Sequence, residues 1–173
     1  MLFRSFKNRD PAVSKRAYVT YIRPKLEYAS NLWNPFHKTS IAVLESVQRY
    51  FTRRIPALSV FSYEERLAML NLETLEMRRL KSDLVLYYKI LHGLSSIPAS
   101  AFEIFNSCSV SRCKTSQLKK NIAGTQACYF SFFNRTVDCW NALPSLLTEA
   151  SSLCVFRSRL DMTDLSQYCT VLT

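Results

Sequence analysis

T-L-E-M-R-R-L-K-S-D-L-V-L-Y-Y-K-I-L-H, the run from Thr74 to His92, decides the fold class. At 100° per residue, Met77, Leu80, Leu84, Tyr87, Tyr88 and Leu91 fall within a stripe about 100° wide. Leu75, Leu86 and Ile90 make a second apolar patch. A helix with two apolar faces needs cover on both, so this is the central element of a small helical bundle. Gly93 follows in the C′ position, where a residue without Cβ takes the left-handed conformation that ends a helix.

Upstream, Ser62-Tyr63-Glu64-Glu65 fits a capping box and predicts a short helix from Tyr63 that includes Arg66 and Leu67. Thr39 or Ser40 can cap the helix before it, in which Leu44, Val47, Phe51 and Ile55 form an apolar stripe. Glu45, Arg49 and Arg53 stack on another face, with Glu45 placed to pair with Arg49. Asp10 and Pro11 predict an N-cap and first helical residue, opening a helix to about Tyr21 or Ile22. Pro24 removes a backbone donor and disfavours helical geometry at Arg23, which predicts a kink or break. A resumed helix over Leu26 to Leu32 and a stop at Asn34-Pro35 should follow.

Downstream the pattern weakens. Residues 94–128 are rich in Ser, Ala and Cys and read as a loosely structured connection, with a short strand or helix near Gln117 to Ile122. From Tyr129 a short C-terminal helical unit begins, in which Phe133, Val137 and Trp140 share helical spacing and Pro144 closes the element. Ser151 or Ser152 caps a last helix carrying Leu153, Phe156 and Leu160, and the tail after Asp164 reads as frayed. The domains are therefore 1–93, a helical domain; 94–128, a connection; 129–164, a helical unit; and 165–173, a tail.

Of 173 residues, 48% are hydrophobic and only two are glycine, which suits a mainly α chain with a buried core. The formal charge is +10, and its placement matters more than its sum. Residues 1–54 hold 11 basic and 3 acidic side chains, whereas 55–92 hold 5 of each. A positive field gathered near the N-terminus points to a polyanion, with nucleic acid ahead of membrane because no lysine-faced apolar surface helix is evident.

No apolar run reaches the roughly 18 residues of a membrane span, and no apolar stretch follows the charges of Met1 to Asp10. The expectation is an intracellular protein, nuclear or cytoplasmic. Six cysteines, at 108, 113, 128, 139, 154 and 169, include no C-x-x-C pair and read as reduced, small apolar residues. Cys108 and Cys113 with His92 have poor spacing for zinc, so no metal or other cofactor is expected. His37 and His92 read as incidental, and Phe133 and Trp140 as packing residues.

Between Ile22 and Arg53 the order is I-R-P-x-L-E-Y-A-S, then W-N-P at 33–35, then L-E-x-V-Q-R-x-x-T-R from Leu44. Y-E-E-R-L-x-x-L-x-L-x-x-L-x-x-R-R follows from Tyr63 to Arg79, and D-L-x-x-x-Y-K-I-L-x-G from Asp83 to Gly93. Phe132-Phe133-x-Arg135 with Trp140-Asn141-x-Leu143-Pro144 completes the set. Together these motifs resemble the thumb and C-terminal region of reverse transcriptases from non-LTR, LINE-type (jockey-like) retrotransposons. The resemblance covers residues 15–93 and 132–144, and only loosely the stretch between. It implies a thumb-like helical fold that helps hold primer and template.

The aromatic-x-Asp-Asp turn that holds metal in that family's palm is not in this sequence. The resemblance therefore implies a piece of an RNA-directed DNA polymerase without its catalytic site. Divalent metal would belong to a missing palm. The partners implied are nucleic acid, as RNA–DNA hybrid or single strand, and an upstream palm and fingers polypeptide. Two other readings stay open: a helical protein–protein interaction module, and a relic with no selected activity.

Lys15, Arg16, Arg23, Lys25, Arg49, Arg53 and Arg54 are the candidates for phosphate contact, since cations on helices can track a backbone without reading bases. A solvated, surface-paired basic face is the plain alternative. Tyr18, Tyr21, Tyr28, Trp33 and Tyr50 are candidates for base stacking, against a place in the core, where such aromatics more often lie.

Overall fold

A computed structural model describes residues 10–97, 120 and 124–169. The described residues are mainly helical and contain no strand, as the scarcity of glycine and the helical spacing require. They fall into two compact units. One takes 10–29, 35–78 and Cys169; the other takes 30–34 and the described part of 79–168.

In the first unit, α1 (Pro11–Ala17) opens as predicted, with the Asp10 carboxylate accepting from the Ala12 N–H at 3.3 Å and Pro11 at the first helical position. Pro24 does not break the chain. Residues Tyr18–Ile22 instead form a π turn, in which the Arg23 N–H donates to the Tyr18 carbonyl, and α2 (Arg23–Glu27) continues from it. A widened turn accommodates a proline ring because the carbonyl that would have met the missing N–H is displaced. The resumed helix ends at Glu27 rather than Leu32, since Ala29 takes the left-handed conformation at φ 51°. The stop assigned to Asn34-Pro35 thus falls after the helix is already over.

Helix α3 (Lys38–Arg53) starts earlier than the predicted Thr39 or Ser40 cap, with His37 at the N-cap and no side-chain cap bond. A 3-10 turn at Pro56–Leu58 leads to α4 (Tyr63–Leu70). The predicted capping box is present in both halves: Ser62 Oγ accepts from the Glu65 N–H, and the Glu65 carboxylate accepts from the Ser62 N–H at 2.7 Å. Asn71, at φ 47°, ends α4. Tyr18, Phe51, Ile55, Leu58 and Leu70 form the core of this unit, flanked by Val19, Ile22, Phe61 and Leu72. Full burial of such side chains stabilises a fold by about 1.5–3 kcal/mol each.

Helix α5 (Leu75–Leu91) is the long element the sequence predicts, and Gly93 follows it at φ 64°. Leu75, Leu84, Tyr87, Tyr88 and Ile90 are buried, which fits a helix covered on two faces. In the second unit, Tyr87 packs its ring near Phe132, Phe133 and Trp140, and Tyr88 stacks on Phe156 at 4.5 Å. These partners come from α7 (Phe132–Ala142) and α9 (Leu153–Asp161), the latter capped by Ser152 as expected. Short helices α6 (Gln126–Tyr129) and α8 (Ser145–Thr148) accompany them. Up to Cys169 the tail is ordered rather than frayed: Leu165 and Cys169 are buried and Ser166–Tyr168 form a 3-10 turn. Cys139 and Cys169 are buried as small apolar residues should be, but Cys128 and Cys154 are exposed. The element expected near Gln117 to Ile122, and Cys108 and Cys113, lie outside the described residues.

Candidate nucleic-acid interface

All seven predicted phosphate-binding cations belong to the first unit, yet their surroundings differ. Arg16 and Lys25 are exposed on α1 and α2, and Lys15 is half-buried. Arg23 is covered to the extent that its side chain is only 20% exposed, and it lies 3.8 Å from Glu27. Glu27 also takes Arg78, which donates through both Nε and Nη2. Burial pushes the Arg23 pKa down first, and the nearby Arg78 adds to the effect. Arg23 is thereby partly covered and shares Glu27 with Arg78, which sets it apart from the exposed cations.

On α3 the sequence misplaced one residue of each face. Val47, expected inside, is 38% exposed; Glu45, expected to pair with Arg49 at the surface, is 1% exposed. The buried face is partly polar, built from Glu45, Gln48 and Thr52 beside Phe51. Glu45 accepts from the Leu75 N–H at 2.9 Å, where the first turn of α5 has donors to spare, and from Tyr63 Oη. Gln48 accepts from Tyr18 Oη at 2.7 Å and donates to the Glu73 carbonyl at 2.9 Å. Burial raises the pKa of Glu45, of Tyr18 and of Tyr63, with Glu45 itself adding to the last two. Helical periodicity alone cannot distinguish a buried carboxylate from an exposed one. The signal that could have found it is the absence of a large apolar residue at 45, 48 and 52 on the inward face.

The buried Glu45 frees Arg49 for a different neighbour. Its guanidinium carbon lies 4.7 Å from the centroid of the Tyr63 ring, and that of Arg66 lies 5.6 Å from the same ring. Sequence reading placed Arg66 on α4 without a role. The structure buries it, with Nε donating to Thr52 Oγ1 at 3.2 Å and Nη1 to the Phe61 carbonyl at 2.6 Å. Arg53 is exposed one turn after Arg49, and Arg54 donates to Tyr50 Oη at 2.5 Å.

Of the stacking candidates, Tyr18 is fully buried in the core and cannot meet a base, a correction that follows from its place in the π turn facing Phe51 at 4.9 Å. Tyr21, Tyr28, Trp33 and Tyr50 are exposed. Tyr50 carries the Arg54 guanidinium 5.4 Å from its ring centroid. Trp33 belongs to the second unit, where Arg79 lies 4.2 Å over its ring and donates to its carbonyl. His92 stacks on Tyr88 at 4.0 Å, a packing role. Among the described residues no group of three acids, histidines or cysteines is placed to hold a metal, and no helix is long and apolar enough to cross a membrane.

No protein-family model matches the chain, and no solved structure matches it. Over 100 residues it is 30% identical to the uncharacterized protein B0403.1 of Caenorhabditis elegans, a stretch that is 56% of this chain and 50% of that relative. The chain thus spans about half the length of the relative it matches.

Proposed function

We propose that this chain is a helical nucleic-acid-binding segment of a LINE-type reverse transcriptase, without the palm active site, that grips primer–template RNA/DNA independently of sequence. The observation that supports this reading is the excess of exposed cations on the first unit. Arg16, Lys25, Arg49 and Arg53 stand at the surface, and none forms an ion pair among the described residues. Folded surfaces commonly pair opposite charges, so exposed cations left without an acid partner suit a polyanion. Exposed Tyr21, Tyr28 and Tyr50 add rings on which unpaired bases can stack. Any catalytic metal would sit in a palm supplied elsewhere.

Fluorescence anisotropy with labelled RNA–DNA hybrid and single-stranded oligonucleotides of unrelated sequence tests the reading. Affinity should be similar across sequences and fall steeply between about 50 and 200 mM salt. Affinity that is flat with salt sinks it. A second reading, a protein-interaction module, is favoured by one observation: Val43, Val47 and Tyr50 leave an outward face of α3 exposed and partly apolar. Substitution of Val43 and Val47 by Ser separates the two, since nucleic-acid affinity should not change under the first reading.

A further inference from the structure

Three guanidinium groups lie where α3 meets α4, with no acid paired to them among the described residues. Arg49 and Arg66 lie over the same Tyr63 ring. Arg53 follows Arg49 by one turn on the same face, and the adjacent Thr52 hydroxyl receives Arg66 Nε. Among the described residues no carboxylate is within ion-pair distance of any of the three. Glu45, one turn before Arg49 on α3, is buried and committed to Tyr63 Oη and the Leu75 N–H. Glu65, on α4, is committed to its capping box.

Arg66 is held in place by neutral acceptors, a hydroxyl and a carbonyl, which fix the guanidinium without cancelling its charge. Burial lowers its pKa first, and Arg53 and Arg49 lower it further. Gathering like charges costs stability, and the C-terminal dipole of α3 offsets only part of that cost at Arg53. Two exposed guanidinium groups beside a third that is hydrogen-bonded in place offer forked donors that a tetrahedral anion can bridge.

We propose that Arg49, Arg53 and Arg66 form a seat for a phosphate group, with Arg66 as its immobile base and Arg49 and Arg53 as its open arms. The seat deepens the nucleic-acid reading and rests on that reading only for the source of the phosphate, which is either a terminal phosphomonoester or the backbone diester.

The full chain is melted in chloride and again with inorganic phosphate at matched ionic strength. Phosphate at about ten times its Kd should raise Tm by about 3–6 °C. Arg49→Gln/Arg53→Gln, checked for unchanged helicity by circular dichroism, should abolish the gain. Lys89→Gln/Arg157→Gln, which removes the same charge elsewhere, should keep it. No gain in the parent chain, a gain retained by the first variant, or equal loss in both variants overturns the seat. Oligonucleotides with a 5′-phosphate or a 5′-hydroxyl then identify the source. Several-fold tighter binding of the phosphorylated strand, lost in Arg49→Gln/Arg53→Gln, assigns the terminal group; equal affinities that fall equally assign the backbone. A retained phosphate gain with no oligonucleotide binding supports the seat and removes the nucleic-acid reading.

Discussion

Glu45 and Arg135 show how much a single side chain decides in this molecule. Burial raises the Glu45 pKa, so the folded state takes up a proton at higher pH than the unfolded chain does. The sign follows: ionised Glu45 costs stability at neutral pH, and that cost is relieved as pH falls through its raised folded pKa. The Tm of the parent chain relative to Glu45→Gln should therefore rise as pH is lowered from about 7 to about 5. A relative Tm that falls over that range refutes this assignment. Arg135 acts in the opposite sense. Its guanidinium reaches Asp83 at 2.9 Å and 3.0 Å and also donates to the carbonyls of Ser30 and Asn31. Asp83 is buried, its pKa pushed up by that burial and held back chiefly by Arg135. Arg135→Gln leaves a buried carboxylate unpaired and should destabilise the fold by about 3–5 kcal/mol, read from urea unfolding.

Helix boundaries were legible wherever a local rule fixes them. Asp10-Pro11, the Ser62–Glu65 box, Ser152 and Gly93 each satisfy donors or permit a left-handed residue without help from distant contacts, and each stands where the sequence places it. The box is testable on its own: Ser62→Ala should cost about 1 kcal/mol in urea unfolding, and a change near zero would mean that α4 is held by packing alone. Where the boundary depends on tertiary packing, sequence rules failed. Pro24 was absorbed by a π turn because Tyr18 is anchored in the core, and α2 ended early at a left-handed Ala29 that no glycine or asparagine announced. The inward face of α3 was misread for the same reason. Its polar residues are satisfied by Tyr18, Tyr63, Glu73 and Leu75, partners up to 30 positions away.

At the level of the whole molecule, periodicity carries the helical class and simple counting carries the positive charge of residues 1–54, so both are legible in the sequence. The candidate site was visible only as a set of cations. Which of them share an acid, as Arg23 shares Glu27 with Arg78, and which lie around Tyr63 with Arg66, depends on the path of Glu27, Glu45 and Arg78 through space. Each cation that releases a counterion from nucleic acid adds about −0.7 to the slope of log affinity against log salt on single strands, or about −0.9 on duplex. Arg49→Gln/Arg53→Gln/Arg54→Gln should flatten that slope by roughly two units on single strands and nearly three on duplex, with helical content intact. An unchanged slope would clear α3 of the role.

Helix α5 changes allegiance partway, with Arg78 in one unit and Arg79 in the other, and residues 30–34 are lent to the second unit before the chain returns to the first. Neither unit is thus a continuous stretch of polypeptide, and no single cut in the coding sequence can release one of them intact. A fragment stopped at Gly93 would strand Asp83 and the Ser30 and Asn31 carbonyls from Arg135. Deletion mapping will read such damage as loss of function wherever the function resides, and point substitutions are the sounder instrument.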